Sequence, residues 1–430
     1  MLTGFSTSSQ IAEYTTACAI FLTATACSPL ARPPAQEGTR CGVQTSVRAR
    51  SVIDTAVTRR VVRFGSATER EGKIVLVGDD IPFFREARHD SLFTIFQAGK
   101  QLEAPPGTQR AYFPRIVVTG ETLLVTTWTQ PPDVSSRKEA TIPELTTIWT
   151  AARGTSGTWS TSLRLDSVMR VFADGNGALF ASPTHSAIHL IYPLIPPGTG
   201  ESFVAKYTLD QGAWKRSLIP GTRGAVYASA VEAQNGLIAV VFVAPDAKRA
   251  HDANSIQVIT SSNEGRSWGN HVVFDHGGAA DPIVLVDHRS TFHILWRQAP
   301  TTPLGHAVIR HVVATTGSSG LNWAVKDDLT PAPGFLGYSA AVDGCGVIHL
   351  AYEDWHGGGD SGDVDYATWD GAWSPPRHLL SHMAAVDPLV FVDARGKANI
   401  FMLARPDSAP ENGRWTNMHV DFPASQPARR

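Results

Sequence analysis

The tract Glu353-Asp354-Trp355-His356 sets two carboxylates and an imidazole around an indole. That combination suits a sugar, whose ring stacks on an aromatic face while carboxylates accept from its hydroxyls. It also reads as an ordinary strand end. Directly after it, Gly357-Gly-Gly-Asp360-Ser-Gly-Asp363-Val-Asp365 holds three carboxylates in a Gly-rich loop. Such a loop offers oxygen ligands to calcium, although the spacing is not that of an EF-hand and a solvated loop is the plainer reading. Three arginines, Arg115, Arg297 and Arg405, stand at the ends of apolar runs. A guanidinium fork there fits a carboxylate ligand, or pairs with an Asp of the neighbouring repeat. Asp281 and Asp387 each precede a proline that opens such a run, where a carboxylate either faces a site or caps a turn. The chain holds no Gly-x-Ser-x-Gly elbow, no His-Glu-x-x-His and no phosphate-binding Gly loop. A Ser–His–Asp set dispersed along the chain stays open.

The elements that position these residues are read from composition and repeats. The chain has 430 residues, 43% of them apolar and 18% charged, with 37 Gly and 28 Pro, a balance that suits short strands separated by many turns. The net charge of −2 gives no footprint for nucleic acid or for an anionic membrane surface. No apolar run reaches the length of a membrane-spanning helix.

Tryptophans recur after a Gly-containing turn at positions 159, 214, 268, 323 and 373, a cadence of 50 to 55 residues, with Gly413-Arg-Trp415 as a shortened echo. Asp281-Pro-Ile-Val-Leu-Val-Asp287 returns as Asp387-Pro-Leu-Val-Phe-Val-Asp393. Between tryptophans lie three further apolar runs rich in β-branched and aromatic residues, so each unit is four short strands. Four-stranded units in tandem are the blades of a propeller, in which each blade buries its faces against its neighbours. The fold expected is therefore all-β, a single β-propeller. Seven units are counted, beginning near Val61, Tyr112, Val168, Val226, Asp281, Phe335 and Asp387. The third is ambiguous, because Ala178–Ala181 and the run from Ala187 to Tyr192 both read as its second strand. A six-bladed ring with a split last blade is the alternative.

Residues 1–27 read as an export signal, with Ala24-Thr25-Ala26-Cys27 resembling a bacterial lipobox and Cys27 as the lipidated residue. The absence of Lys and Arg before Glu13 departs from the usual positive start. Residues 28–55 then form a flexible tether, 56–424 the propeller and 425–430 a disordered tail. Two cysteines of the mature chain, Cys41 and Cys345, either pair in an oxidising compartment or stay as thiols.

The segment Ser261-Ser-Asn263-Glu-Gly265-Arg-Ser-Trp268 resembles the Asp box of sialidases and related propellers, with Asn263 where Asp is usual. Looser variants occur at 208–214, 316–323 and 368–373. The resemblance covers roughly residues 60–420 and concerns a structural turn. Known sialidases hold a substrate carboxylate with three arginines and use a Tyr–Glu pair as nucleophile and an Asp as acid/base. By that resemblance Arg115, Arg297 and Arg405 are the candidate arginines, Tyr338 with Glu353 the nucleophile pair, and Asp281 or Asp387 the acid/base. The family's Phe/Tyr-Arg-Ile-Pro motif is missing; Tyr112-Phe-Pro-Arg115-Ile116 has similar residues in another order. Two functions follow. One is an exported or surface-anchored monomeric module that binds a glycan or a surface protein, with Asp354, Trp355 and His356 at its ligand site. The other is an exo-sialidase-type glycoside hydrolase for terminal acidic sugars. No cofactor is expected beyond a possible calcium ion at Asp360, Asp363 and Asp365.

Overall fold

The computed structural model describes residues 41–427 except 43–47, 52–61, 81–92, 99, 107–110, 130–144, 170–176, 246–253, 270, 277, 300–306, 318–319, 327, 330–336, 356–361, 410–414 and 424–425. The leader, with Cys18 and Cys27, lies outside these residues, as do His356 and Asp360.

Seven four-stranded antiparallel sheets follow one another along the chain. Blade 1 is Val62–Arg70, Lys73–Asp80, Phe93–Gln97 and Lys100–Leu102. Blade 2 is Ala111–Thr119, Thr122–Thr129, Leu145–Arg153 and Leu163–Met169. Blade 3 is Ala178–Ala181, Ile188–Leu194, Phe203–Asp210 and Ala213–Leu218. Blade 4 is Tyr227–Glu232, Ile238–Pro245, Asn254–Ser261 and Val272–His276. Blade 5 is Ala279–Val286, Phe292–Gln298, Val308–Gly317 and Gly320–Val325. Blade 6 is Tyr338–Val342, Ile348–Trp355, Gly362–Trp369 and Arg377–His378. Blade 7 is Met383–Val392, Ala398–Pro406 and Thr416–Phe422, completed on its outer edge by Arg48–Ser51. The first strand of each blade packs against the first strand of the next, and that of blade 7 packs against that of blade 1. The fold is therefore a closed seven-bladed β-propeller with the first strands innermost, and the six-bladed alternative is ruled out.

Alternation along the second strands explains the closure. In blade 4, Ile238, Val240 and Phe242 face blade 3, while Ala239, Val241 and Val243 face blade 5, where they meet Phe292, Ile294 and Trp296. Each of the seven seams holds an apolar cluster of this kind. A fully buried Val, Ile or Phe contributes about 1.5–3 kcal/mol, so the seams dominate the stability. Trp159, Trp214, Trp268, Trp323 and Trp373 occupy equivalent positions, each packed into the seam with the preceding blade.

Hydroxyls bind the inner ring as well. Ser66, Ser229 and Ser339 accept the backbone N–H of Ile116, Val284 and Val390 in the next blade at 3.4, 3.2 and 3.0 Å. At the opposite end of the first strands from their start, Asp287, Asp343 and Asp393 cap the turns into the second strands, each accepting two backbone N–H groups at 2.8–3.0 Å. This end is called the lower face.

Four expectations change. Val168 ends the fourth strand of blade 2 rather than opening blade 3, and Ala178–Ala181 is blade 3's first strand, with Ile188–Leu194 its second. Trp415 is no echo of the other indoles: it precedes the third strand of blade 7 and packs beside Leu403. Residues 48–51, assigned to the tether, are part of the ring. Cys41–Gly42 and Gln426–Pro427, assigned to tether and tail, pair as a short two-stranded sheet. Cys345, in the lower turn of blade 6, is disulfide-bonded. The side chain of Cys41 lies outside the described residues.

Candidate functional site

The upper face, where first strands start and second strands finish, gathers most of the candidate residues over blades 5 to 7. Asp281 and Asp387 occupy the same place in blades 5 and 7. The ladder jumps from Ala280 to Ile283 and from Val386 to Leu389, so each Asp-Pro pair bulges from its inner strand. Both aspartates are left-handed, with φ of 51° and 52°. That conformation is costly for a side-chain-bearing residue before proline and persists only where surroundings impose it. These aspartates are bulge residues, not turn caps.

Blade 6 lies between the two bulges and fixes both. Tyr338 donates its hydroxyl to the carbonyl of Asp281. Glu353, buried, accepts the N–H of Asp387 on Oε1 at 2.7 Å. Glu353 is itself set by its own N–H, which donates to the Gly337 carbonyl at 2.9 Å. A Cβ at residue 337 would lie 3.3 Å from Glu353 Oε1, so glycine there lets the carboxylate sit against the backbone.

Arg297 pairs with Asp281 at 2.9 Å, and the two side chains are 30% and 31% exposed, enough for a solute to reach both. Burial raises the Tyr338 hydroxyl well above its ordinary value; the Asp281 charge adds to the rise and Arg297 opposes it. The phenol stays protonated at neutral pH, with its proton committed to a carbonyl.

The structure separates the remaining arginines by environment. Arg115, between blades 2 and 3, donates to the carbonyls of Pro114 and Gly177, both at 3.1 Å. Arg405 is buried and lies over the Trp415 ring, 5.0 Å from its centroid. Asp354 is buried on the blade 5 side of blade 6 and pairs across the sheet with Asp363. Asp365 is buried; its Oδ1 lies 2.5 Å from His378 Nδ1 and its Oδ2 accepts the Tyr352 hydroxyl at 3.4 Å, while Asp363 lies 3.9 Å from the same imidazole. Burial raises the Asp365 carboxyl, and His378 opposes that rise. Trp355 ends its strand opposite Gly362. Among the described residues, no three His, Cys, Asp or Glu side chains are arranged to hold a metal ion.

Sequence reasoning missed two recurring features. The first is the inner Ser-Ala dipeptide at 66–67, 229–230 and 339–340, whose hydroxyls bridge blades. The second is Asp-x5-His, at Asp287/His293 and Asp343/His349, echoed by Asp393/Asn399. Each of these polar residues meets a third-strand partner: His293 with His311 at 3.2 Å, His349 with the Tyr366 hydroxyl at 2.6 Å, and Asn399 with His419 at 3.0 Å. Recurrence at the blade period was the available signal for both.

No protein-family model matches this chain, and no curated protein sequence does. Solved structures resemble it at low identity. A protein of unknown function from Dyadobacter fermentans is 13% identical over 73% of this chain and 95% of its own, with a TM-score of 0.47. The propeller domain of the Trilobed protease from Pyrococcus furiosus is 11% identical over 80% and 92%, with a TM-score of 0.43. A GH93 α-L-arabinofuranosidase of Fusarium graminearum is 12% identical over 74% and 96%, with a TM-score of 0.43. Likeness at this level carries nothing about chemistry.

Proposed function

We propose that this protein is an exported propeller, divergent from the sialidase-like group, that binds a glycan at its upper face over blades 5 to 7 without hydrolysing it. The observation that carries the reading is the Tyr338 hydroxyl, spent on the Asp281 carbonyl and held protonated by burial. A sialidase-type nucleophile has to be free to lose that proton. The partly exposed Asp281–Arg297 pair offers an acceptor and a donor side by side, the pattern that matches vicinal sugar hydroxyls. The three arginines have three different engagements, which disfavours a shared carboxylate clamp.

Export is supported by the disulfide at Cys345, since such bonds persist in oxidising compartments. Anchoring through Cys27 and a monomeric state belong to the same proposal. Kinship with Asp-box propellers is supported by the Ser261–Trp268 turn. There Ser261 Oγ accepts the Gly265 N–H and Asn263 Oδ1 accepts the Ser267 N–H, both at 2.8 Å.

The test is a glycan array followed by calorimetric titration of the best binder, together with a fluorogenic sialoside assay. Binding that is lost in Arg297→Ala and Asp281→Asn, without turnover, is expected. Sialoside turnover abolished by Tyr338→Phe would replace the reading with the hydrolase. Binding only to a surface protein would redirect the ligand class.

A further inference from the structure

The lower face carries a second constellation, at the seam of blades 3 and 4. The turn between the first two strands of blade 3 runs through Ser182, Thr184 and His185. Thr184 Oγ1 lies 2.6 Å from His185 Nδ1, and His185 Nε2 lies 3.0 Å from Glu264 Oε1 of blade 4. Hydroxyl, imidazole and carboxylate thus stand in hydrogen-bonded order. With Nε2–H donated to Glu264, the Nδ1 lone pair is directed at the Thr184 hydroxyl.

Two backbone amides converge beside that hydroxyl. The N–H groups of Thr184 and His185 both donate to Ser182 Oγ, at 3.3 and 3.1 Å. Ser182 Oγ stands 3.2 Å from Thr184 Oγ1. An oxygen at this point is within reach of a nucleophile and of two amide donors, the geometry asked of a carbonyl oxygen under attack. The Ser182 hydroxyl now fills the place, and its side chain must turn aside for a substrate.

Glu232 holds the turn against blade 4. Its Oε1 accepts from Ser182 at 2.8 Å and lies 2.9 Å from Thr184 Oγ1, so that the single Thr184 proton has two acceptors within reach, Glu232 Oε1 and His185 Nδ1. Glu232 Oε2 and His189 Nε2 are buried 3.6 Å apart, and neither has a hydrogen-bond partner. The outer members are reachable, with His185 and Glu264 49% and 38% exposed. Lys206 Nζ donates to the Glu264 carbonyl, which steadies the loop bearing the carboxylate.

We propose that this seam is an acyl-transfer site for activated carboxylic esters. Thr184 is the nucleophile, His185 the base, and Glu264 the positioning residue. Thr184 Oγ1 bonds to the ester carbon while its proton passes to His185 Nδ1. The carbon–oxygen bond to the alcohol breaks, and His185 returns the proton to the departing alkoxide. Water then attacks the acyl-threonine, gives its proton to His185, and releases the acid as Thr184 is reprotonated. The site is on the opposite face from the glycan reading and does not depend on it.

The full-length protein is treated with p-nitrophenyl acetate and, separately, with a fluorophosphonate probe, and the adduct is mapped by peptide mass spectrometry. One adduct on Thr184 is expected, absent in Thr184→Ala and kept in Thr184→Ser. His185→Gln is expected to slow labelling about 100-fold. Glu264→Gln is expected to slow it less and to displace its pH profile, which a merely structural carboxylate would leave in place. Ser182→Ala is expected to label at least as fast as the parent. A folded protein with no adduct on Thr184, or labelling as fast in His185→Gln as in the parent, overturns the proposal.

Discussion

The carboxylate of Glu353 accepts the backbone N–H of Asp387 at 2.7 Å, so a buried side chain of blade 6 fixes a left-handed residue of blade 7. Removing that acceptor leaves a backbone donor without its partner inside a seam, at a cost of about 1–3 kcal/mol. Glu353→Ala is expected to lower the denaturation midpoint by that equivalent and to weaken glycan binding. Glu353→Gln, which keeps an acceptor, is expected to recover most of both. Chemical denaturation and calorimetry check the pair.

Tyr338→Phe removes the matching support on the blade 5 side. Because the lost bond is a single neutral one, the expected loss of stability is about 0.5–1.5 kcal/mol. Glycan affinity is expected to fall modestly as Asp281 and Arg297 lose register. Denaturation and titration of this variant measure the two effects.

The inner-ring hydroxyls give an additive test. Ser66 and Ser229 bridge different pairs of blades and share no partner. Ser66→Ala and Ser229→Ala are each expected to cost about 1 kcal/mol, and the double variant the sum within about 0.5 kcal/mol. A double variant no less stable than either single one would deny the bridges their role.

Acid should loosen the seam between blades 5 and 6. Burial lowers His293 to about 4 and His311 to about 3, against an ordinary value of 6.5. Both are therefore neutral in the folded ring, while the unfolded chain takes up protons near pH 6.5. Their contribution is complete above that pH and is lost as pH falls toward 4. The slope is at most about 1.4 kcal/mol per pH unit for each imidazole. His311 packs against Trp369 and Trp373, so His311→Phe suits its surroundings. That variant is expected to lose less stability between pH 6.5 and 4.5 than the parent, as read by thermal melts at fixed ionic strength.

The tryptophan cadence made the blades legible because each indole does the same job in its seam. The outermost strand of blade 7 was not legible: Arg48-Ala-Arg-Ser51 has no apolar alternation, since an edge strand buries little and is held by its ladder to Thr416–Phe422. Trp415 misled because Gly-Arg-Trp imitates the turn signal while the indole serves Arg405. At the site, the repeated Asp-Pro pairs marked Asp281 and Asp387. Their bulges and the supports from Tyr338 and Glu353 join residues far apart in the chain, which no local pattern encodes.

Arg48–Ser51 and Thr416–Phe422 are strand partners although nearly the whole chain separates them. During synthesis, six blades can assemble as they emerge, but the circle stays broken until the last of these strands leaves the ribosome. Ring closure therefore waits for residues 416–422, and nascent chains halted before residue 416 should present an open arc with an unsatisfied seam to chaperones.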